Sequence, residues 1–140
     1  MSIEELGEQM NIIGGTKEAY FPKNVGLLFF NSHPEKFFSA TQIDVVYFSD
    51  GAGGDLIEEK IFRGALDRIT QNALDYIKNR YIKKTVIKHP DEAKAQRFWN
   101  YPFAAIEEAL VNAVYYRSYE EREPIEVRID AEAITITSYP

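Results

Sequence analysis

Cysteine is absent from all 140 residues, which excludes disulfides, thiolate nucleophiles and the usual cysteine-ligated zinc sites. Histidine is scarce. The two present, His33 and His89, each precede a proline, a setting that suits exposed turns better than metal ligation. Long apolar runs are missing as well: nothing approaches the roughly 20 residues that cross a bilayer. The opening MSIEELGEQM is acidic where a secretory signal would be basic and then apolar. The expected compartment is therefore the cytoplasm, with no membrane partner. Excess positive charge is lacking too, since the formal net charge is −6, and this disfavours general nucleic-acid binding. The segment 78–97 departs from that balance, with seven of the sixteen basic residues against Asp91 and Glu92. It reads either as a solvated helix end and hairpin or as a phosphate-contacting patch in which Lys83, Lys84 and Lys88 would meet DNA. No base-stacking aromatic pattern of the RNA-recognition type accompanies it.

What is present argues for a folded core: 45% hydrophobic and 14% aromatic residues are enough for a globular unit rather than a disordered chain. The strongest single signal is the stretch from Tyr101 to Tyr119. Pro102 suits a helix start, because its φ is preset and its missing N–H would have had no partner there. From there a helix is expected to run to about Arg117. Phe103, Ile106, Leu110, Ala113 and Val114 share one face at 100° per residue, the stripe that a helix presses on a sheet. Glu108 and Asn112 fall opposite, one turn apart, with the small Ala105 and Ala109 beside them, so a ligand could approach the backbone closely. Such a pair could orient water through the carboxylate and ligate Mg²⁺ through the amide oxygen. Spacing alone leaves open the plainer reading, a solvated helix face.

The remaining chain reads as α+β, with antiparallel strands and two main packed helices. Gln42 to Phe48 and Leu56 to Phe62 are rich in β-branched and aromatic residues and are expected to pair across Ser49–Asp55. That loop contains three glycines, but no Lys-Ser/Thr and no helix start follow it, so a hairpin connection fits better than a phosphate cradle. Leu66, Ile69, Ala73, Leu74 and Ile77 form the stripe of a helix from about Ala65 to Arg80. Lys84 to Lys88 and Ala95 to Trp99 read as a short antiparallel pair, and Tyr101 as a staple at the entry of the central helix. Alternation in Ile125, Val127, Ile129 and then Ile134, Ile136 predicts a final half-buried hairpin. Val25 to Phe30 is an apolar run that periodicity cannot assign, and Phe37 and Phe38 are expected to plug the core. Residues 1–20 lack a sustained stripe and read as a linker or frayed entry.

One longer string sharpens this picture. EALVNAVYYRSY, followed by PIEVRI and AITITSYP, resembles the EALVNAxxHRDY…PIEVRI…IxIxSPG pattern of bacterial RecG-related ATP-dependent helicases and transcriptional regulators. The resemblance is clearest over Tyr101–Pro140 and more diffuse over Phe21–Ile77, where it favours a helix for Val25 to Phe30. It implies that residues 21–98 are the C-terminal part of a Schlafen/AlbA-like domain. Residues 99–140 would then begin a divergent ATPase domain of the gyrase, histidine-kinase and MutL type, the whole being an interior piece of a longer protein.

On that pattern Glu108 stands as the water-orienting base and Asn112 as the Mg²⁺ ligand, with Ala105 and Ala109 lining the nucleotide. The implied cofactors are ATP and Mg²⁺ in the full-length protein. The implied function is that of an ATP-binding, helicase-related transcriptional regulator. Tyr116 and Ser118 replace the His and Asp of HRDY, which favours the alternative of a non-catalytic DNA-associated or assembly module that keeps the fold. The chain by itself is expected not to turn over ATP, because the phosphate-closing parts of that superfamily would follow Pro140.

Overall fold

The computed structural model describes residues 1–49, 54–87 and 96–140. Its centre is a four-stranded sheet. Strand β3 (Gln42–Phe48) pairs antiparallel with β4 (Leu56–Arg63), from Gln42 opposite Arg63 to Phe48 opposite Leu56. On its other edge β3 lies parallel to β7 (Ile125–Ile129), which turns back antiparallel into β8 (Ile134–Thr137). The order across the sheet is β4-β3-β7-β8. Both hairpins were expected, but their union through a parallel β3–β7 pair was not. Segments 21–98 and 99–140 thus contribute to one sheet and one core, and the fold is α+β.

Two helices cover the sheet. In α3 (Leu66–Tyr81) the stripe Leu66, Ile69, Ala73, Leu74 and Ile77 is fully buried, while Asp67, Arg68, Gln71, Asp75 and Lys78 face water. Ile106, Leu110, Ala113 and Val114 of α4 (Phe103–Tyr116) are buried in the same way. They meet Ile43 and Val45 of β3 and Ile125, Val127 and Ile129 of β7 in one cluster. Burying side chains of this size gives about 1.5 to 3 kcal/mol each against exposure, so this contact dominates the fold's stability. The short antiparallel pair β5 (Lys84–Ile87) and β6 (Gln96–Trp99) forms a separate two-stranded ribbon between the two helices in sequence.

The first twenty residues are structured, contrary to the linker expected there. Helix α1 (Ile3–Gln9) opens with a complete capping box: Glu5 N–H donates to Ser2 Oγ at 3.1 Å, and Ser2 N–H to Glu5 Oε2 at 2.9 Å. Two helix-end donors are satisfied at once, which offsets the shortness of the helix. A hairpin of β1 (Ile13–Thr16) and β2 (Ala19–Pro22) follows. Its turn requires Gly15, whose φ is +97° and whose missing Cβ would sit 2.2 Å from the Ala19 carbonyl oxygen. The apolar run expected as a helix over Val25 to Phe30 forms helix α2 (Asn24–Phe29), which delivers Leu28 to the core. After a 3₁₀ turn at Pro34–Lys36, Phe38 packs on the core but Phe37 is 58% exposed, so only one of the two expected plugs is one. Consecutive residues leaving a tight turn point in different directions, and one core face cannot take both.

Among the described residues no helix is long and apolar enough to cross a membrane.

Candidate functional site

Helix α4 starts at Pro102, whose carbonyl accepts from Ala105 N–H at 3.1 Å and Ile106 N–H at 3.4 Å. The wheel this sets up has the expected orientation. Ala105, Glu108, Ala109 and Asn112 are all exposed, on the side away from Leu110 and Ile106. Neither the Glu108 nor the Asn112 side chain makes a hydrogen bond or ion pair with a described residue. Their carboxylate and amide are thus available to solvent or a ligand, with two methyl-sized side chains next to them. Among the described residues no three His, Asp or Glu side chains converge as a metal cluster. A cation on this face would take an oxygen from Asn112 and the rest from a bound ligand and water, as Mg²⁺ commonly does.

The far end of α4 is held by the residues that follow it. Arg117, only 6% exposed, gathers the chain that follows: Nε donates to Ser118 O at 3.1 Å, and Nη2 to Glu123 O at 2.7 Å and Glu121 O at 3.4 Å. No carboxylate pairs with it among the described residues. Carbonyl dipoles and the negative end of α4 carry the compensation, and desolvation pulls its pKa down. The guanidinium also stacks on Tyr119, 4.9 Å from the ring centroid. Tyr119 in turn donates its hydroxyl to Val114 O at 2.6 Å, and burial pushes this phenol up to about 12. Arg117 and Tyr119 are therefore structural. Tyr116 beside them is 77% exposed.

The expected basic patch is only partly within view. Lys83 is exposed, and Lys84 begins β5; Lys88 lies outside the described residues, as do His89 and most of the glycine-rich loop. Where β5 and β6 leave the body of the fold, Asn100 joins them. Its Oδ1 accepts from Lys83 N–H at 2.7 Å and Tyr101 N–H at 3.0 Å, and its Nδ2 donates to Tyr81 O at 2.7 Å. This one side chain ties the end of α3 to the entry of α4.

Two clusters escaped the sequence reading, because both depend on which elements are neighbours in space. Near the carboxyl end of α3, Glu58 of β4 accepts from the Tyr76 hydroxyl at 2.8 Å and pairs with Arg80. These hydrogen bonds hold the Glu58 carboxyl below its usual range, while burial raises the Tyr76 phenol. On the sheet face away from the helices, Asp44 lies opposite Glu126 in the parallel register. Gln42 Nε2 donates to Asp44 Oδ1 at 2.9 Å, and Arg63 Nε to Gln42 Oε1 at 3.0 Å. Desolvation, with Glu59 and Glu126 as neighbouring like charges, pushes the Asp44 carboxyl up.

No protein-family model and no curated protein matches this sequence. Among solved structures, the DIP2311 protein of Corynebacterium diphtheriae is similar over the whole of this chain, at 19% identity and a TM-score of 0.63. The chain spans 27% of that protein's length. At this identity the likeness shows a shared fold and nothing about chemistry.

Proposed function

We propose that this chain is part of an ATP-binding, helicase-related transcriptional regulator, in which α4 supplies Glu108 and Asn112 to a Mg²⁺–nucleotide site of the full-length protein. The observation that carries this reading is the set of Ala105, Glu108, Ala109 and Asn112. All four are exposed, sit on the outer side of a helix anchored by its other face, and are not committed to internal bonds. ATP and Mg²⁺ would bring the phosphate chain and the Lewis acid. Asn112 Oδ1 would hold the metal, Glu108 would orient and deprotonate the attacking water, and Ala105 and Ala109 would let the phosphates approach the helix. A carboxylate and one amide accelerate nothing unless the triphosphate is also held in reacting geometry, so the 140 residues alone are proposed to be inactive.

The test uses the longest natural chain that contains this segment. Asn112→Ala should weaken Mg²⁺-dependent nucleotide binding, whereas Glu108→Gln should leave binding nearly intact and remove hydrolysis. Nucleotide affinity unchanged in Asn112→Ala would overturn the reading. A second reading, a non-catalytic DNA-associated module in the cytoplasm, is favoured by one observation: the exposed Lys83 ammonium has no acidic partner among the described residues. It predicts that neutralising Lys83, Lys84 and Lys88 together weakens DNA binding and flattens its salt dependence, with nucleotide variants silent.

A further inference from the structure

The parallel pair at the centre of the sheet creates a crevice. Strands β3 and β7 end side by side, with Tyr47 in register with Ile129, and from there the chain leaves in opposite directions. After β3 it goes to β4, on one edge; after β7 it goes to β8, on the other. Where adjacent parallel strands send their connections apart, the space beyond their carboxyl ends stays open, and in open α/β sheets that is where ligands bind. Here the space is a cavity of about 780 Å³, within the size range of small-molecule sites. Its walls include Tyr47, Tyr81, Tyr101 and Ile129.

The cavity's charges divide into used and unused valences. Glu58 accepts from Tyr76 and Arg80, and the Arg80 charge is paired with Glu58. The Asn100 side chain is spent on the backbone of Tyr81, Lys83 and Tyr101. Three groups remain. The Lys83 ammonium has no ion pair with a described residue. Asp130 uses Oδ1 to accept from Glu132 N–H at 2.8 Å and Ala133 N–H at 2.9 Å, which leaves Oδ2 without a donor among the described residues. Those backbone donors also keep its carboxyl below the usual range, so it stays a fixed anion. The Glu132 carboxylate beside it is exposed and has no partner among the described residues. A lone anion would meet two carboxylates, and a lone cation would meet Lys83. A ligand with both charges satisfies the set, and an apolar or aromatic body matches the tyrosine and isoleucine walls.

We propose that this crevice binds a small zwitterion of the amino-acid or dipeptide class, its carboxylate on Lys83 and its ammonium on Asp130 and Glu132, with an apolar or aromatic side chain against Tyr47, Tyr81 and Tyr101. The site shares no residue with the outer face of α4 and does not rest on the nucleotide reading.

The experiment is an amide-detected NMR titration of the chain with four probes. L-phenylalanine and glycylphenylalanine are zwitterions with two charge separations; phenethylamine and hydrocinnamate each keep one charge and the ring. At least one zwitterion should give saturable shifts at Tyr47, Tyr81, Ile129 and Asp130. Both single-charge probes should bind about tenfold more weakly, the loss expected for one charge-assisted hydrogen bond. Lys83→Met should weaken the zwitterion and hydrocinnamate but spare phenethylamine. Asp130→Asn retains the oxygen that accepts from Glu132 and Ala133, so the turn survives, and it should weaken the zwitterion and phenethylamine but spare hydrocinnamate. The native dispersion of each variant's spectrum shows that it has folded. Equal affinity for all four probes, shifts confined to residues outside the crevice, or no saturation by either zwitterion would overturn the assignment.

Discussion

The Tyr119 hydroxyl lies 2.6 Å from the carbonyl oxygen of Val114 and donates to it, closing the last turn of α4. Val114 O is one of the carbonyls that a helix end leaves without a partner, so the phenol acts as a C-terminal cap from outside the helix. Tyr119→Phe should cost about 0.5 to 1.5 kcal/mol in urea melts, the net worth of one such bond. No loss would mean that water replaces the hydroxyl.

Arg117 should matter more. Its guanidinium serves three carbonyls in the connection from α4 to β7, and hydrogen bonds to a charged group are worth about 1.5 to 3 kcal/mol. Arg117→Ala is expected to destabilise the fold by at least that much and to loosen residues 118–123, read as faster amide exchange there. Exchange rates that stay at the native level would show that the loop is held by other means.

The two faces of α4 predict opposite outcomes for neighbouring substitutions. Leu110 has no exposed surface, so Leu110→Ala should cost about 2 to 5 kcal/mol through lost transfer energy and a cavity. Glu108→Ala, on the water side, should change stability by less than about 1 kcal/mol. Equal losses in denaturant melts would make Glu108 a structural residue and remove its functional reading.

Asp44 gives a pH signature. Its carboxyl is raised in the fold, chiefly by desolvation, so the folded state favours the protonated form. The stability this brings is fully present below the ordinary aspartate range and is lost as pH rises through the raised value. Asp44→Asn retains an oxygen for the Gln42 donor and removes the charge facing Glu126. At neutral pH it should stabilise by about 0.2 to 1 kcal/mol, the range for cross-strand pairs. That gain should shrink as pH falls through the raised Asp44 range and be gone by about pH 3, where even an ordinary aspartate is mostly protonated. A gain independent of pH would assign the effect to packing instead.

How far these features were legible depends on whether the signal is local. The stripes of α3 and α4 and the alternation of β7 and β8 lie within windows short enough for periodicity to read, and those elements formed where expected. Ala105, Glu108, Ala109 and Asn112 were placed on the outer face by the same wheel. The α1 helix was missed although its signal, Ser2 followed three residues later by Glu5, was present; a seven-residue helix is too short for a stripe, and the capping box had to be read on its own. The β3–β7 pairing, and with it the crevice and the Asp44–Glu126 contact, was not legible. Period-two alternation tells which residues share a face but not which strand lies alongside.

That same pairing sets the order in which the chain can be finished. Ile43 meets Ile125 across more than half the sequence, so the interior strand of the sheet is also among the last to find its second neighbour. Until β7 has been synthesised, the β3–β4 hairpin presents an open edge carrying Ile43, Val45 and Val46, a template for pairing with other chains. Closure over so long a loop is slow compared with the formation of α3. A nascent or truncated chain that stops before residue 125 is therefore the form most exposed to aggregation, and the one for which a chaperone's grip on β3 would count.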